Sequence, residues 1–413
     1  MSDAPHVAQI SFFLDRTGRS PTQLLKAWTT LVDVAEATHR AGLRVSVVQA
    51  CTETTTLDLE GVQYHFAPFG TAATAPSGEA LLYELLRQLR PDVLHVHGLA
   101  FPRDVRRLVA LAPAVPIVLQ DHADKPPRIW RRALWRGGLA VADGLAFCAR
   151  DQARPFADAG LLGLHTHLYE IPESTSRFVP GDHEEARRLT GIVGDPAVLW
   201  VGHLDPNKDP LTVLDGISAA SRALRGLRLY CCFGTAPLLR SVQDRISADP
   251  HLRDRVRLLG RVPHDTVELL MRAADLFVLG SHREGSGYSL IEALACGLPP
   301  VVTDIPSFRS LTGGGAVGRL YPCDDPLALC EALHSIAGRM DAALRASVRA
   351  HFDRELSSRA LGVKLRALYH DVLERRRRVG TSADQPGVRP ASPTISGIIA
   401  RSPAESPGSA HNT

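Results

Sequence analysis

Residues 274–304 read ADLFVLGSHREGSGYSLIEALACGLPPVVTD. The apolar run Leu276–Leu279 has the length of a strand and leads into a polar loop carrying Gly285 and Gly287. A helix is expected from Tyr288 or Ser289, and a second apolar run, PPVVTD, follows it. Strand, loop, helix and strand in succession form the repeating unit of a parallel sheet covered by helices. The free amides of a helix start, backed by the positive end of the helix dipole, make a place for phosphate. Two carboxylates flank this one, Glu284 in the loop and Glu292 in the helix. Neither can contact a phosphate without repulsion, so each is expected to face neutral, hydroxyl-rich groups on either side of it. Ribose, diphosphate and hexose, joined as a nucleotide sugar, have that arrangement.

The same alternation extends in both directions. Strand candidates in the first half are VAQISFF, LRVSVVQ, DVLHVH, PIVLQ and GLAFCA; in the second half they are AVLWVG, LRLYCCF, VRLLG, LFVLG and PPVVTD. At 413 residues the chain exceeds the ~250–300 at which single cores stop growing, so two α/β halves in tandem are expected. Their join is placed in IPESTSRFVPGD, Ile171–Asp182, where a strand-like run ends in prolines and polar residues. That gives an N-terminal domain over 1–178, a C-terminal domain over 179–352, a terminal helix over 353–378 and a tail over 379–413. The tail, rich in Ser, Pro and Gly, is expected to stay disordered and to be dispensable, because it buries too little to offset its ordering entropy.

Composition narrows the partners. Hydrophobic residues make up 45% and charged residues 22%, and the formal charge is only +3, so there is no global pull toward nucleic acid. The seven cysteines contain no Cys-x-x-Cys pair, which fits reduced thiols in a cytoplasmic protein. Neither a secretory leader nor a run of ~18 uninterrupted apolar residues is read in the sequence. The expectation is a cytoplasmic chain without a membrane span.

A second chemical stretch is Val201-Gly202-His203-Leu204-Asp205-Pro206-Asn207-Lys208-Asp209. A strand there leads to a helix starting near Asp209-Pro210, with Asp209 as N-cap and Pro210 as first helical residue. Together, the two stretches resemble the retaining glycosyltransferases of family 4, which have the glycosyltransferase-B fold of two Rossmann-like domains facing a cleft. Glu284 and Glu292 reproduce that family's pair of glutamates separated by seven residues. The resemblance implies that Glu284 contacts donor-sugar hydroxyls, Glu292 the ribose, and the amides of Tyr288 and Ser289, after the Gly287 turn, the distal phosphate. Lys208 would neutralise the departing diphosphate from a position after Gly202, and His203 stands where the family has an arginine. A histidine there needs protonation by the phosphates to serve as a clamp. Arg261 and Val262 sit where the family's backbone pairs with the nucleotide base.

The first half is expected to supply the acceptor side. His97, in PDVLHVHG, ends a strand at the edge where doubly wound sheets bind ligands. His122, in VLQDH, resembles the family's N-domain histidine near the reacting sugar. Gly18 is a lone glycine where the family has a pair in its first loop. The segment 128–136, RIWRRALWR, reads as a solvated helix face, with peripheral contact to an anionic membrane as the alternative.

The resemblance implies metal-independent transfer of a hexosyl-type sugar from a nucleotide-diphosphate sugar, with retention of anomeric configuration and no cofactor. Glu284, Lys208 and His122 would carry the chemistry. The acceptor stays open among a lipid-linked sugar, a polysaccharide and a small metabolite. Two rivals stand beside it: a nucleotide-sugar epimerase of the same fold, and a catalytically silent nucleotide-sugar-binding partner of another enzyme, supported by the change at His203. No Asp-x-Asp metal motif is read in the loops, and a dinucleotide dehydrogenase fails for want of a Gly-x-Gly-x-x-Gly turn after either first strand.

Overall fold

A computed structural model of the chain describes residues 4–70, 77–163 and 166–383. Its fourteen described strands form two sheets. The first contains β1 (His6–Ser11), β2 (Arg44–Ala50), β3 (Thr55–Leu59), β4 (Val62–Ala67), β5 (Val93–His97), β6 (Ile117–Gln120), β7 (Gly144–Phe147) and β8 (His167–Glu170). Their order is β3-β4-β2-β1-β5-β6-β7-β8, parallel throughout except for the antiparallel β3–β4 hairpin. The second contains β9 (Ala197–Val201), β10 (Arg228–Cys232), β11 (Val256–Gly260), β12 (Leu276–Leu279), β13 (Pro300–Thr303) and β14 (Arg319–Tyr321), all parallel, in the order β11-β10-β9-β12-β13-β14. This is the mixed α/β, two-sheet architecture expected.

Every residue of β1, β5, β6, β7, β12 and β13 is buried, as sheets covered on both faces require. Each sheet reverses its strand order once, at β1/β5 and at β9/β12. Loops leaving the two strands of a reversal diverge to opposite faces and leave a crevice between them. Lys208 follows β9 and Glu284 follows β12, so both lie at the second reversal.

The end of the chain differs from expectation. One helix spans Ala342–Glu355 and a second Ser358–Ala383, in place of a single one over 353–378. Between them Leu356 has φ −126°, outside the helical range. Five residues assigned to the tail, 379–383, are helical, and 384–413 lie outside the described residues. By contacts the chain is one compact unit through Leu373, and Glu374 begins a second whose described part is helical. The last helix packs against the first sheet: Leu361, Leu365, Leu368, Tyr369 and Val372 are in one cluster with Val7, Val34, Val93 and Val118.

Leu365 is fully buried in that cluster. Leu365→Ala is expected to destabilise the protein by about 2–4 kcal/mol through lost transfer energy and the cavity left behind. Equilibrium denaturant unfolding measures it; a loss below ~1 kcal/mol would mean that the helix contributes little to the first core.

Candidate active site

The loops after β9 and β12 are stitched together before any ligand arrives. Asn207 accepts the backbone N–H of His282 through its carbonyl (2.8 Å) and donates its side-chain amide to the Arg283 carbonyl (2.9 Å). The Lys208 amide donates to Asp205 Oδ1 at 2.9 Å, and Asp209, with φ 46°, caps the helix Pro210–Ala220 through the Thr212 amide at 3.2 Å. These contacts bring Lys208 Nζ onto the Glu284 carboxylate as an ion pair. The two side chains are only 16% and 12% exposed, so water screens them poorly. The helix Tyr288–Ala295 opens after Gly287 at φ 80°, with no side chain capping its first amides. A Cβ at 287 would lie 2.5 Å from the Phe308 ring, so the turn requires glycine both for its backbone angle and for space.

Glu292 is also held, by His264 Nε2 at 2.6 Å. This hydrogen bond raises the His264 pKa above its ordinary value, against the opposing effect of burial. The His264 ring also packs on Phe178 at a centroid distance of 4.6 Å. Beside it a cleft of about 180 Å³ opens at the ends of β9, β10 and β11, lined among others by Gly202, His203, Gly234, Arg261 and Val262. The residues expected at the nucleoside therefore do converge. His203 is turned into the same wall, where its Nδ1 accepts the Thr235 amide at 3.2 Å. On that side Nδ1 acts as a hydrogen-bond acceptor, a role that an arginine could not fill.

From the first sheet, His97 at the end of β5 and His122 just past β6 meet: His97 Nδ1 lies 3.1 Å from His122 Nε2. His122 Nδ1 lies 3.2 Å from Glu173 Oε2. Burial and the neighbouring His95 and His122 push the His97 pKa far down. For His122 burial acts in the same direction, but the Glu173 carboxylate, with Asp121 and Asp124 behind it, outweighs it and the pKa is raised. The two sheets are joined here. The Glu173 amide donates to Ser286 Oγ (2.9 Å), Gln152 donates to the carbonyls of Glu284 (2.8 Å) and Gly285 (2.9 Å), and the Tyr288 hydroxyl lies 2.5 Å from Thr30 Oγ1. A pocket lined by Asp121, Asp124, Gln152, Arg283, Glu284 and Ser307, among others, runs between these groups.

Sequence reasoning missed Glu173, Gln152 and His264. Glu173 had been read as part of a polar join; the proline before it and the strand-like run ahead of that were the available signal. Ser289 is half-buried at the helix start, and Gly18 sits in a loop closed on itself by Asp15, which accepts hydrogen bonds from Thr17 and Arg19. The segment 128–136 is a short turn, Ile129–Arg131, followed by the helix Arg132–Leu139. Trp135 is buried, whereas Ile129 and Trp130 are 73% and 70% exposed, so the segment is only partly a solvated helix face. Asp209, His282 and Asp324 bring three potential ligand atoms within 4.8 Å of one another, but His282 already bridges the two carboxylates at 3.5 and 3.7 Å. No described helix is long and apolar enough to cross a membrane.

Two doubly wound sheets, with an uncapped helix start and paired charges at the strand reversal of the second, have the architecture of the glycosyltransferase-B class. Residues 195–338 match the family described as "Glycosyl transferases group 1" and residues 27–161 match "Glycosyltransferase Family 4"; together these cover more than half of the chain. The chain is 31% identical over 223 residues to a D-inositol 3-phosphate glycosyltransferase of Geodermatophilus obscurus, 52% of this chain and 49% of that protein. It thus spans about half the length of that curated relative. A 2-deoxystreptamine N-acetyl-D-glucosaminyltransferase of Streptomyces fradiae is 28% identical over 72% of this chain and 73% of its own. Among solved structures, a sucrose-phosphate synthase from Thermosynechococcus elongatus superposes with a TM-score of 0.66 at 18% identity, over 90% of this chain and 100% of that one. HepE of Anabaena, in complex with UDP, gives 0.66 at 15% identity, over 89% and 100%. The chain belongs to the family 4 (group 1) glycosyltransferases and has their glycosyltransferase-B fold.

Asp121 offers a test of the site's electrostatics. Burial first, then Asp124 and Glu173, push its pKa up from 3.8 to about 7. A carboxyl whose folded pKa is raised favours the folded state while protonated in it. That favourable contribution is lost as pH rises from ~4 to ~7, and the cost persists above. Asp121→Asn keeps an acceptor for the Asp124 amide, now 3.0 Å from Oδ1. The variant is expected to be more stable than wild type at pH 8 by on the order of 1–3 kcal/mol, with a much smaller difference at pH 5. Thermal unfolding at both pH values checks it; a pH-independent difference would contradict the assignment.

Proposed function

We propose that this protein transfers a hexosyl-type sugar from a nucleotide-diphosphate sugar to a hydroxyl-bearing acceptor with retention of anomeric configuration. The observation that carries the proposal is the convergence at one strand reversal of an uncapped helix start, the Lys208–Glu284 pair and Glu292. Residues 179–352 would bind the donor, with base and ribose in the cleft at Arg261, Val262 and Glu292 and the diphosphate over the amides of Tyr288 and Ser289. Residues 1–178 would bind the acceptor, near His97, Gly18 and His122.

An arriving diphosphate competes with Glu284 for the Lys208 ammonium. Once that pair opens, Lys208 faces the charge that grows on the leaving phosphate, and Glu284 is released to accept hydrogen bonds from the sugar. Lys208 and helix amides supply the positive charge that a metal supplies elsewhere, so the proposed enzyme works without a divalent ion or other cofactor. The relatives named for inositol phosphate and deoxystreptamine favour a small polyhydroxylated acceptor. The exposed Ile129 and Trp130, flanked by arginines, favour a lipid-borne acceptor as a second reading.

Calorimetric titration with UDP and GDP, followed by product analysis in the presence of EDTA, tests the proposal. Transfer with release of diphosphate supports it; free epimerised donor, or binding with no turnover beside any acceptor, supports the rivals, and restoration only by magnesium removes the metal-free claim.

Glu292→Gln is expected to weaken free diphosphate about 10- to 100-fold, the value of a charged hydrogen bond of roughly 1.5–3 kcal/mol. Glu284→Gln should keep that affinity or strengthen it, because Lys208 loses its competitor, while lowering kcat. Reversed effects would place the donor the other way along the cleft. Lys208→Ala is expected to cost about 10²-fold or more in the chemical step; single-turnover rates at wild-type level would remove it from the mechanism.

A further inference from the structure

A buried carboxylate stands at the junction of the two sheets with one oxygen committed and one not. Glu173 is 4% exposed; its Oε2 meets His122 Nδ1 at 3.2 Å, and its Oε1 has no hydrogen-bond partner among the described residues. Its backbone amide is held from the other side, by Ser286 Oγ at 2.9 Å. The carboxylate lies so close to Gly285 that a Cβ built there would sit 1.8 Å from Oε1. Any side chain at 285 would push it away from His122.

An ionised carboxylate only accepts hydrogen bonds, so the Glu173 contact places a proton on His122 Nδ1. The other nitrogen of His122 faces His97 Nδ1, whose ring is stacked on His95 at 4.8 Å and whose Nε2 is buried with no partner. His122 is thereby fixed at both nitrogens, in the way a second residue orients a catalytic or metal-bound histidine elsewhere. An uncommitted ring at this position would be free to flip, and its charge would follow the solvent.

We propose that Glu173 is a positioning residue of the reaction centre, fixing the proton and the orientation of His122 and tying both to the donor loop at Gly285–Ser286. The inference rests on the function proposed above, in which His122 faces the reacting sugar. Its consequence is a coupling. Displacement of the 284–287 loop moves the group that Glu173 leans on, so the charge presented by His122 depends on the state of the donor loop. The groups facing His122 are Glu173, His97, Asp121 and Asp124, with His95 behind His97. Glu173 is the one among them that makes a hydrogen bond to Nδ1.

The experiment is a histidine-selective NMR titration of the full chain, with His122 assigned by its loss in His122→Asn, alongside the pH profile of kcat. In wild type the His122 midpoint is expected above 6.5, and Glu173→Gln should lower it by about one pH unit or more. The kcat profile should lose its limb at the same pH as the midpoint and move with it in the variant. A wild-type midpoint below 6.5, an unchanged midpoint in Glu173→Gln, or a kcat reduced equally at every pH would overturn the proposal. Should Glu173→Gln not fold, the wild-type midpoint and that of Gly285→Ala, which must displace the carboxylate, decide it. The titration needs no substrate, so a protein that binds no nucleoside diphosphate would sink the proposed function while leaving the Glu173–His122 relation tested by itself.

Discussion

A parallel sheet whose strand order reverses once has one place where adjacent strands send their loops to opposite faces. Most of the chemistry here follows from that constraint being met twice, at β1/β5 and at β9/β12. The strands themselves are buried along their length. The polar side chains of the site come from the strand ends and the residues just past them: His97 as the last residue of β5, His122 beyond β6, Lys208 beyond β9 and Glu284 beyond β12. Positions along these strands could change hydrophobic identity with modest effect, provided volume is kept. Loop positions could not, because their backbones are tied to one another by Asn207, Gln152 and Ser286.

Under the proposed function, the site has to offer positive charge to a diphosphate and still be stable without one. The paired carboxylates solve this. Lys208 is held by Glu284, and the raised pKa of His264 reflects Glu292. Such pairs, half taken out of water, add little net stability, since desolvation offsets much of the attraction. Their value lies elsewhere: each cation keeps its geometry without a ligand, and each is released by a competing anion at little net cost in electrostatic energy. The two glutamates differ in this respect. Lys208 has to leave Glu284 to meet a phosphate, whereas Glu292 can keep His264 on one oxygen and use the other.

Much of the fold was legible because strand runs such as PIVLQ and LFVLG are almost wholly apolar, as double-faced burial demands. The β3–β4 hairpin was not read, because Thr55–Leu59 is mostly exposed and carries only a weak alternation; Glu60 and Gly61, at φ 52° and 78°, form its tight turn and were the missed signal. The split between the last two helices fell on Leu356–Ser357, a pair with no proline or glycine to mark it. In the site, residues within one stretch were found together, Glu284 with Glu292 and Gly202 with Lys208. Glu173, Gln152 and His264 escaped for a physical reason. Their roles exist only through partners 28 to 133 positions away, and no local pattern records such a pairing.

The segment 171–182, read from sequence as a polar join, is bound along its length to both sides. Ser174 donates to Asp33 at 2.8 Å and Arg177 reaches Glu36 at 3.0 Å, both on the helix Thr29–Arg40 of the first half. From the next residue the partners change: Phe178 packs on His264, and the Val179 amide donates to Glu268 at 2.9 Å while Arg272 returns a hydrogen bond to the Val179 carbonyl at the same distance. With Glu173 bound to Ser286 ahead of them, the segment has little free length in which to act as a loose tether. Phe178 touches the histidine that holds Glu292, and Glu173 touches the histidine that faces His97. A rotation of one sheet against the other would have to pass through this strap, and it could not do so without changing the surroundings of His264 at one end and His122 at the other.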